Sequence, residues 1–217
     1  MPYELSQSLE DRIHTSIASS LANFLITSPE EAYIDCLVLH SPFPSIGETQ
    51  KAWQIFSSYV PHKIRALGIS NTSFAVLQNL VTEMEIKPSV VQNRFHRETS
   101  YEVPLRKFCR DKGIVFQSFW TFTGNPRLML SNPVQKLGEE FDKLGLKDAD
   151  VVALYALVIG LEGVTVLDGT TRPERMVGDL TGLDIASAWI EKEGKATWDD
   201  QLQEFKALIG EEHENLK

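Results

Sequence analysis

The sequence predicts an α/β fold in which about five parallel strands are flanked by helices. Two observations predict it. Short apolar runs alternate with longer amphipathic segments along the chain, and each apolar run ends in a polar or aromatic residue. Successive parallel strands need a crossover connection, which is usually a helix. No linker, low-complexity tract or exact repeat interrupts the alternation, so we expect a single domain over residues 1–217.

The first element is predicted to be a helix over residues 8–24. Ile13 and Ile17 share one helical face, and Ser8 stands three residues before Asp11 in the arrangement of a capping pair. The segment that joins this helix to the next element, ANFLITSPEEA, is longer than the usual connection of this kind. This unusual length supports the interpretation that the segment is mis-spliced sequence from an incomplete gene model.

The five strands are predicted from apolar runs that are too short for helices. They lie at residues 33–40, 63–69, 88–92, 113–119 and 163–169. The first run is almost continuously apolar, so we expect this strand to be buried on both faces.

The remaining helices are predicted from apolar residues at spacings of three and four. They lie at residues 48–59, 73–84, 102–112, 132–145, 148–161 and 171–180, with further helices between 184 and 210. The helix over 148–161 is apolar almost all round, so we expect it to lie between the sheet and another layer.

Composition limits the classes of partner. The chain has 217 residues and a net charge of -9, which disfavours contact with nucleic-acid phosphates or anionic lipid. It contains no apolar run of the roughly 18–20 residues that a membrane helix needs, and the start MPYELSQSLED lacks the segments of a secretory signal. We therefore expect a cytoplasmic protein with small-molecule partners, in which Cys36 and Cys109 are buried free thiols. The histidines and cysteines show no metal-like spacing, so we expect no metal site.

Polar or aromatic side chains stand where each predicted strand ends. They are His40, Ser70 with Asn71, Gln92, residues 117–120, and residues 168–171. The carboxyl ends of parallel strands share one face, where α/β proteins bind their ligands. Five such ends together predict a pocket, although a strand end also becomes polar simply because it meets water.

The ordered motifs YIDCLVLHSP, KIRALGISN, PSVVQNRFH, FCRDKGIVFQSFW and TVLDGTTRPERMVGDL resemble the aldo-keto reductase family, and FQSFWTFTGNP is similar to its fungal branch. The resemblance covers residues 8–180. It implies a (β/α)8 TIM barrel that reduces carbonyl groups with NADPH or NADH. It also implies a catalytic tetrad of Asp, Tyr, Lys and His.

Carried over to this chain, the resemblance implies that His40 is the tetrad histidine, which orients the substrate carbonyl. It implies that Ser70, Asn71 and Gln92 hold the nicotinamide carboxamide. Ser118 corresponds to a serine near the cofactor diphosphate, and Phe119 or Trp120 could cover the nicotinamide face, because Gln117 replaces the usual stacking tyrosine.

The last motif corresponds to the adenosine end of the cofactor. Gly169 and Thr170 stand where many relatives carry a lysine and a serine or threonine for the adenosine phosphate, and Arg175 matches the arginine that follows. NADP is the expected cofactor and NAD is the alternative, because the lysine is absent while Arg172 or Arg175 can still pair with a phosphate.

The tetrad aspartate, tyrosine and lysine of the family precede the helix that begins at Ser8, and no counterpart stands there. Tyr3 and Tyr33 lack the context of the proton donor, so we expect structural roles for both. The expected fold is therefore an incomplete barrel, with strands four to eight and a shortened amino terminus. Its unpaired strand edges could remain open or pair with another chain.

Three hypotheses follow. The first is an aldo-keto reductase that acts on an aldehyde or ketone intermediate, with weak or no activity if the chain is complete as given. The second is a redox-inactive relative that serves as a cyclase, isomerase or accessory subunit. The third is a structural partner that completes its barrel by docking onto another chain.

Overall fold

The computed structural model describes residues 2–24 and 31–211. Within these ranges five parallel strands form one sheet in the order β1-β2-β3-β4-β5. The strands are Ile34–Leu39, Ile64–Ser70, Val90–Arg94, Val115–Phe119 and Val164–Val166. The predicted α/β fold with five parallel strands and flanking helices is confirmed. Residues 25–30, at the centre of the long predicted connection, lie outside the described ranges.

Helices connect the strands. They are α1 Leu9–Asn23, α2 Ile46–Ser57, α3 Phe74–Glu83, α4 Val103–Asp111, α5 Pro126–Met129, α6 Asn132–Lys143, α7 Ala149–Ile159, α8 Pro173–Lys192 and α9 Lys195–Leu208. The predicted capping pair of α1 is confirmed, because the Ser8 hydroxyl accepts a hydrogen bond from the Asp11 amide at 3.1 Å. Two elements were not predicted from the sequence, the short helix α5 and a 3₁₀ helix at Arg97–Glu102. None of the described helices is long and apolar enough to cross a membrane.

The chain divides within β3 into two compact units, Met1–Gln92 and Asn93–Lys217. In the first unit, α2 places Trp53 in the core, where its indole N–H donates to the main-chain oxygen of Ile86 at 2.7 Å. Strand β2 supplies three fully buried side chains to the same unit, those of Ile64, Leu67 and Ile69.

The first strand is less buried than predicted. Ile34 is buried, but Cys36 and the three strand residues after it are only half-buried. The physical reason is position, since β1 is the first strand in the sheet order and has one strand neighbour among those described. The prediction of a doubly buried strand was therefore wrong, and so was that of a buried Cys36 thiol.

In the second unit, α7 lies inside the core as predicted, with every residue from Val152 to Val158 buried. Cys109 is buried as predicted, and burial raises the pKa of its thiol to about 12. The last strand is shorter than the predicted residues 163–169, because its register with β4 ends at the pair Ser118 and Val166. Asp168 and Gly169 consequently belong to the loop between β5 and α8.

Candidate functional site

The first unit gathers its predicted residues where strands β1, β2 and β3 end. His40 follows the last residue of β1 and is exposed. Ser70 is the last residue of β2 and is buried, and its register partner in β3 is Gln92. Parallel pairing therefore brings the carboxyl ends of these strands to one edge, as the sequence predicted.

Hydrogen bonds join these residues into one network. The Asn71 side-chain amide donates to the main-chain oxygen of His40 at 2.9 Å and to the Ser70 hydroxyl at 3.1 Å. Ser70 in turn donates from its hydroxyl to the main-chain oxygen of Gln92 at 2.8 Å, and the Asn71 main-chain amide donates to the same oxygen at 3.0 Å. Asn71 has φ of 50°, a left-handed conformation that asparagine adopts more readily than most residues. This conformation allows both amide groups of Asn71 to donate within the network.

In the second unit, β4 ends in Ser118, Phe119 and a loop. Ser118 is fully buried, and its hydroxyl lies 2.8 Å from that of Thr121. Phe119 lines a cavity of about 650 Å³, as do Trp120, Gly169, Thr170 and Arg175, whereas Ser118 is not part of its lining.

The backbone conformation of Trp120 sets the position of its side chain at the edge of this cavity. Its φ is 59°, and its side chain is 51% exposed, with the Arg94 guanidinium 4.4 Å from the ring centroid. The buried Asn125 side chain fixes the loop, since its amide donates to the main-chain oxygens of Phe95, Thr121 and Trp120 at 2.5, 2.9 and 3.4 Å. A buried amide that serves three carbonyls orders the loop that carries Trp120.

Carboxylates dominate the charge of the cavity. Asp148, Asp168 and Asp179 line it, and among the described lining residues the guanidinium of Arg175 is the single cation. Burial raises the pKa of Asp179, and the neighbouring Asp168 and Asp148 carboxylates raise it further, in part through a hydrogen bond with Asp168. Asp168 also fixes the loop, because its side chain accepts a hydrogen bond from the Thr170 amide at 3.0 Å.

Sequence reasoning missed Tyr155 and Asp179, which come from helices α7 and α8. Burial raises the pKa of Tyr155 to about 12, with added effects of Asp168 and Asp179. One signal was present for Tyr155, since it is the single polar side chain within the apolar run VVALYALVIGL. A buried tyrosine hydroxyl usually finds a polar partner.

The polar groups of the first unit fit the carboxamide of the nicotinamide cofactor that the resemblance implies. Among the residues described, none hydrogen-bonds the side-chain oxygen of Asn71, which remains able to accept from an amide. The groups that line the cavity of the second unit match that cofactor less well. This cavity offers aromatic faces and hydroxyl acceptors, but it offers a phosphate only the guanidinium of Arg175 among three carboxylates.

Comparisons with known proteins identify relatives of this chain. The profile of the Aldo/keto reductase family matches residues 5–131. Glyoxal reductase of Bacillus subtilis is 31% identical over 164 residues, which are 74% of this chain and 55% of that protein. The NADPH-dependent alpha-keto amide reductase of Saccharomyces cerevisiae is 24% identical over 172 residues, which are 74% of this chain and 54% of that protein.

A solved aldo-keto reductase from a Medee basin deep-sea metagenome library superposes with a TM-score of 0.67 at 21% identity, covering 84% of this chain and 63% of that one. The chain spans about half the length of the curated relatives it matches. The fold agrees with the TIM-barrel expectation, and NADPH, which the yeast relative's name states, agrees with the expected cofactor of the family. On these grounds the chain belongs to the aldo/keto reductase family.

Proposed function

We propose that this protein is an NAD(P)H-dependent oxidoreductase that reduces the carbonyl group of a small aldehyde or ketone. We place it in the cytoplasm, in the biosynthesis of a secondary metabolite, with residues 1–217 acting as one functional domain. The observation that carries the proposal is the network at the ends of β1, β2 and β3, in which Asn71 joins His40, Ser70 and Gln92.

Each residue of the network has a role in this proposal. Asn71 holds the main chain of His40, so the imidazole leaves the sheet at a fixed point and can donate an N–H to a substrate carbonyl oxygen. Asn71 and Gln92 hold a carboxamide by side-chain hydrogen bonds. Ser70 positions both residues, because its hydroxyl donates to the main-chain oxygen of Gln92 and accepts from the side-chain amide of Asn71. The cofactor, when bound, supplies the hydride. A hydrogen bond to the carbonyl oxygen favours the developing negative charge there.

In the second unit, the proposed cofactor contacts are Phe119, Gly169, Thr170 and Arg175, which line the cavity. Ser118 acts indirectly in this proposal, because its buried hydroxyl pairs with Thr121, which does line the cavity.

The test separates binding from chemistry. Titration of the full chain with NADH and with NADPH, followed by cofactor fluorescence, should show saturable binding that Asn71→Asp weakens. A reductase assay with several aldehydes and ketones should show at most weak turnover by residues 1–217, and His40→Ala should abolish it. His62→Ala is the matched control, because His62 is exposed and lies before β2, away from the strand ends. Product formation without any nicotinamide cofactor would instead support a cyclase or isomerase.

A second proposal concerns a partner. The terminal strands β1 and β5 each have one strand neighbour among the described strands, and β1 is only half-buried. We propose that another strand, supplied by a partner chain, pairs with the edge of β1 to continue the barrel. Light scattering of the purified protein over a range of concentrations should show a dimer or a larger assembly of this chain. A constant monomer mass at high concentration would contradict this proposal.

A further inference from the structure

The cavity of the second unit has a charge pattern of its own. Three carboxylates, those of Asp148, Asp168 and Asp179, line it together with one guanidinium, that of Arg175. Burial and the neighbouring Asp168 carboxylate raise the pKa of Asp179, which favours a proton on that carboxyl. The carboxylates outnumber the guanidinium even with that proton in place, so the lining is not positive at neutral pH.

A second observation points to a ligand. Tyr155 is 6% exposed and lines the cavity, yet among residues 2–24 and 31–211 none forms a hydrogen bond with its hydroxyl. The hydroxyl is not among the buried side-chain atoms without a partner, so it opens into the cavity. With a pKa of about 12, the hydroxyl is protonated at neutral pH and can donate as well as accept. The hydroxyl is therefore available to pair with a polar group bound in the cavity.

The other walls of the cavity are aromatic. Trp120 and Phe122 present partly exposed rings, and Phe119 lies beside Trp120 with the two rings nearly perpendicular. Flat rings of this kind stack on a nucleobase. The volume of about 650 Å³ lies in the range of small-molecule pockets. Aromatic faces, carboxylates and a free hydroxyl donor together suit a nucleoside whose ribose hydroxyls are unmodified.

We propose that this cavity binds the adenosine of the cofactor through its free ribose hydroxyls, so that the protein takes NADH in preference to NADPH. Asp168 and Asp179 are then the specificity-determining residues, because a carboxylate accepts hydrogen bonds from ribose hydroxyls and repels a phosphate at the same position. This inference rests on the proposed function, and it departs from the NADPH use of the yeast relative.

Arg175 does not reverse this selectivity. Its guanidinium is the one cationic side chain in the lining of the described cavity, and it faces Asp179, whose pKa it lowers. A phosphate would have to compete with that carboxylate for the same guanidinium. Gly169, where many relatives carry a lysine, contributes no charge.

The test uses two probes that differ by one phosphate, 5′-AMP and 2′,5′-ADP. Calorimetric titration of the full chain should show that 5′-AMP binds roughly tenfold more tightly or better, since a phosphate near two carboxylates is repelled. The double variant Asp168→Asn, Asp179→Asn keeps one side-chain oxygen at each position but loses the charges, so it should cut the ratio at least about fivefold. Asp200→Asn, an exposed position on α9, is the matched control and should leave the ratio unchanged.

A measurement on the unaltered protein keeps the test valid if the double variant does not fold. Raising the salt concentration should reduce the preference for 5′-AMP, because salt screens the repulsion of the phosphate. Equal or tighter binding of 2′,5′-ADP by the unaltered protein overturns the inference, and so does the failure of both probes to bind.

Parallel titrations with NADH and NADPH separate this inference from the proposed function. If 5′-AMP is preferred but neither dinucleotide binds, the cavity has the proposed selectivity and the oxidoreductase proposal fails. If NADPH binds more tightly than NADH and 2′,5′-ADP more tightly than 5′-AMP, the oxidoreductase proposal stands and this inference fails.

Discussion

The side-chain amide of Asn71 donates a hydrogen bond to the main-chain oxygen of His40 at 2.9 Å, tying the end of β1 to the end of β2. Asn71→Asp keeps the residue shape and tolerates the positive φ, but it replaces the donor by a carboxylate that faces carbonyl oxygen. Because this hydrogen bond is exposed, we expect the free energy of unfolding to fall by about 0.5–1.5 kcal/mol, measured by urea denaturation.

The control for this substitution is Asn79→Asp. Asn79 accepts a hydrogen bond from the Gln50 side chain at 2.9 Å, and an aspartate can still accept it. If Asn79→Asp were as destabilising as Asn71→Asp, the donor role of Asn71 would not explain the loss.

Asn125→Asp should destabilise the second unit more strongly. The buried amide of Asn125 donates to the main-chain oxygens of Phe95 and Thr121, and a carboxylate there would be buried against acceptors. We expect a loss of about 3 kcal/mol or more at neutral pH, which shrinks at acid pH as the aspartate gains a proton to donate. Urea denaturation at several pH values measures it.

The exposed Asn132 provides the comparison for Asn125. Its amide donates to the Glu204 carboxylate at 2.9 Å on the surface of the same unit. Asn132→Asp should cost less than about 1 kcal/mol, because water solvates both charges. A cost for Asn125→Asp that did not exceed this value would show that the three-carbonyl contact contributes little.

The ion pair between Arg106 and Glu211 joins α4 to the segment after α9. The guanidinium is 3% exposed, lies 2.9 Å from the carboxylate, and also donates to the main-chain oxygen of Tyr101 at 2.8 Å. Glu211→Ala leaves a buried cation without its carboxylate, so we expect a loss of about 3–5 kcal/mol in thermal or urea denaturation.

A surface ion pair gives the contrast for Arg106 and Glu211. Lys143 and Glu140 lie 2.8 Å apart, but the Lys143 side chain is 66% exposed. Glu140→Ala should leave the midpoint of urea denaturation almost unchanged, because water solvates both charges. Equal effects of the two substitutions would mean that burial does not determine the strength of these pairs.

Asp179 should make stability depend on pH. Folding raises its pKa above 3.8, chiefly by burial and then by Asp168 and Asp148, while Arg175 opposes the rise. A carboxyl of this kind contributes stability that is fully present below its unfolded pKa and is lost as pH rises through its folded pKa.

Asp179→Asn removes this loss of stability with rising pH, because asparagine does not titrate. Relative to the unaltered protein, its melting temperature should rise as pH increases through the folded pKa of Asp179, whereas at more acid pH the two proteins should converge. Tyr155 also faces this group, but it stays protonated until a pH of about 12 and so does not affect this window. A melting-temperature difference that is constant across pH, or matched by Asp200→Asn, would contradict the prediction.

The local signals in the sequence predicted most of the elements. Ser8 and Asp11 form the predicted cap, and the apolar run at 148–161 forms the buried helix α7, because capping and hydrophobic periodicity depend on residues close together in the chain. The strand-end residues of the first unit also meet as expected, since parallel strands bring their carboxyl ends to one edge.

The sequence by itself therefore determined the order of the five strands, the family and the residues at the strand ends. Only the tertiary structure decided how buried β1 is, where β5 stops, and that Tyr155 and Asp179 join Asp168 around one cavity. These features depend on packing between residues distant in the chain, which hydrophobic periodicity does not encode. A helix pattern predicts which face is buried, but the neighbours of a polar side chain on that face are fixed only when the helices pack.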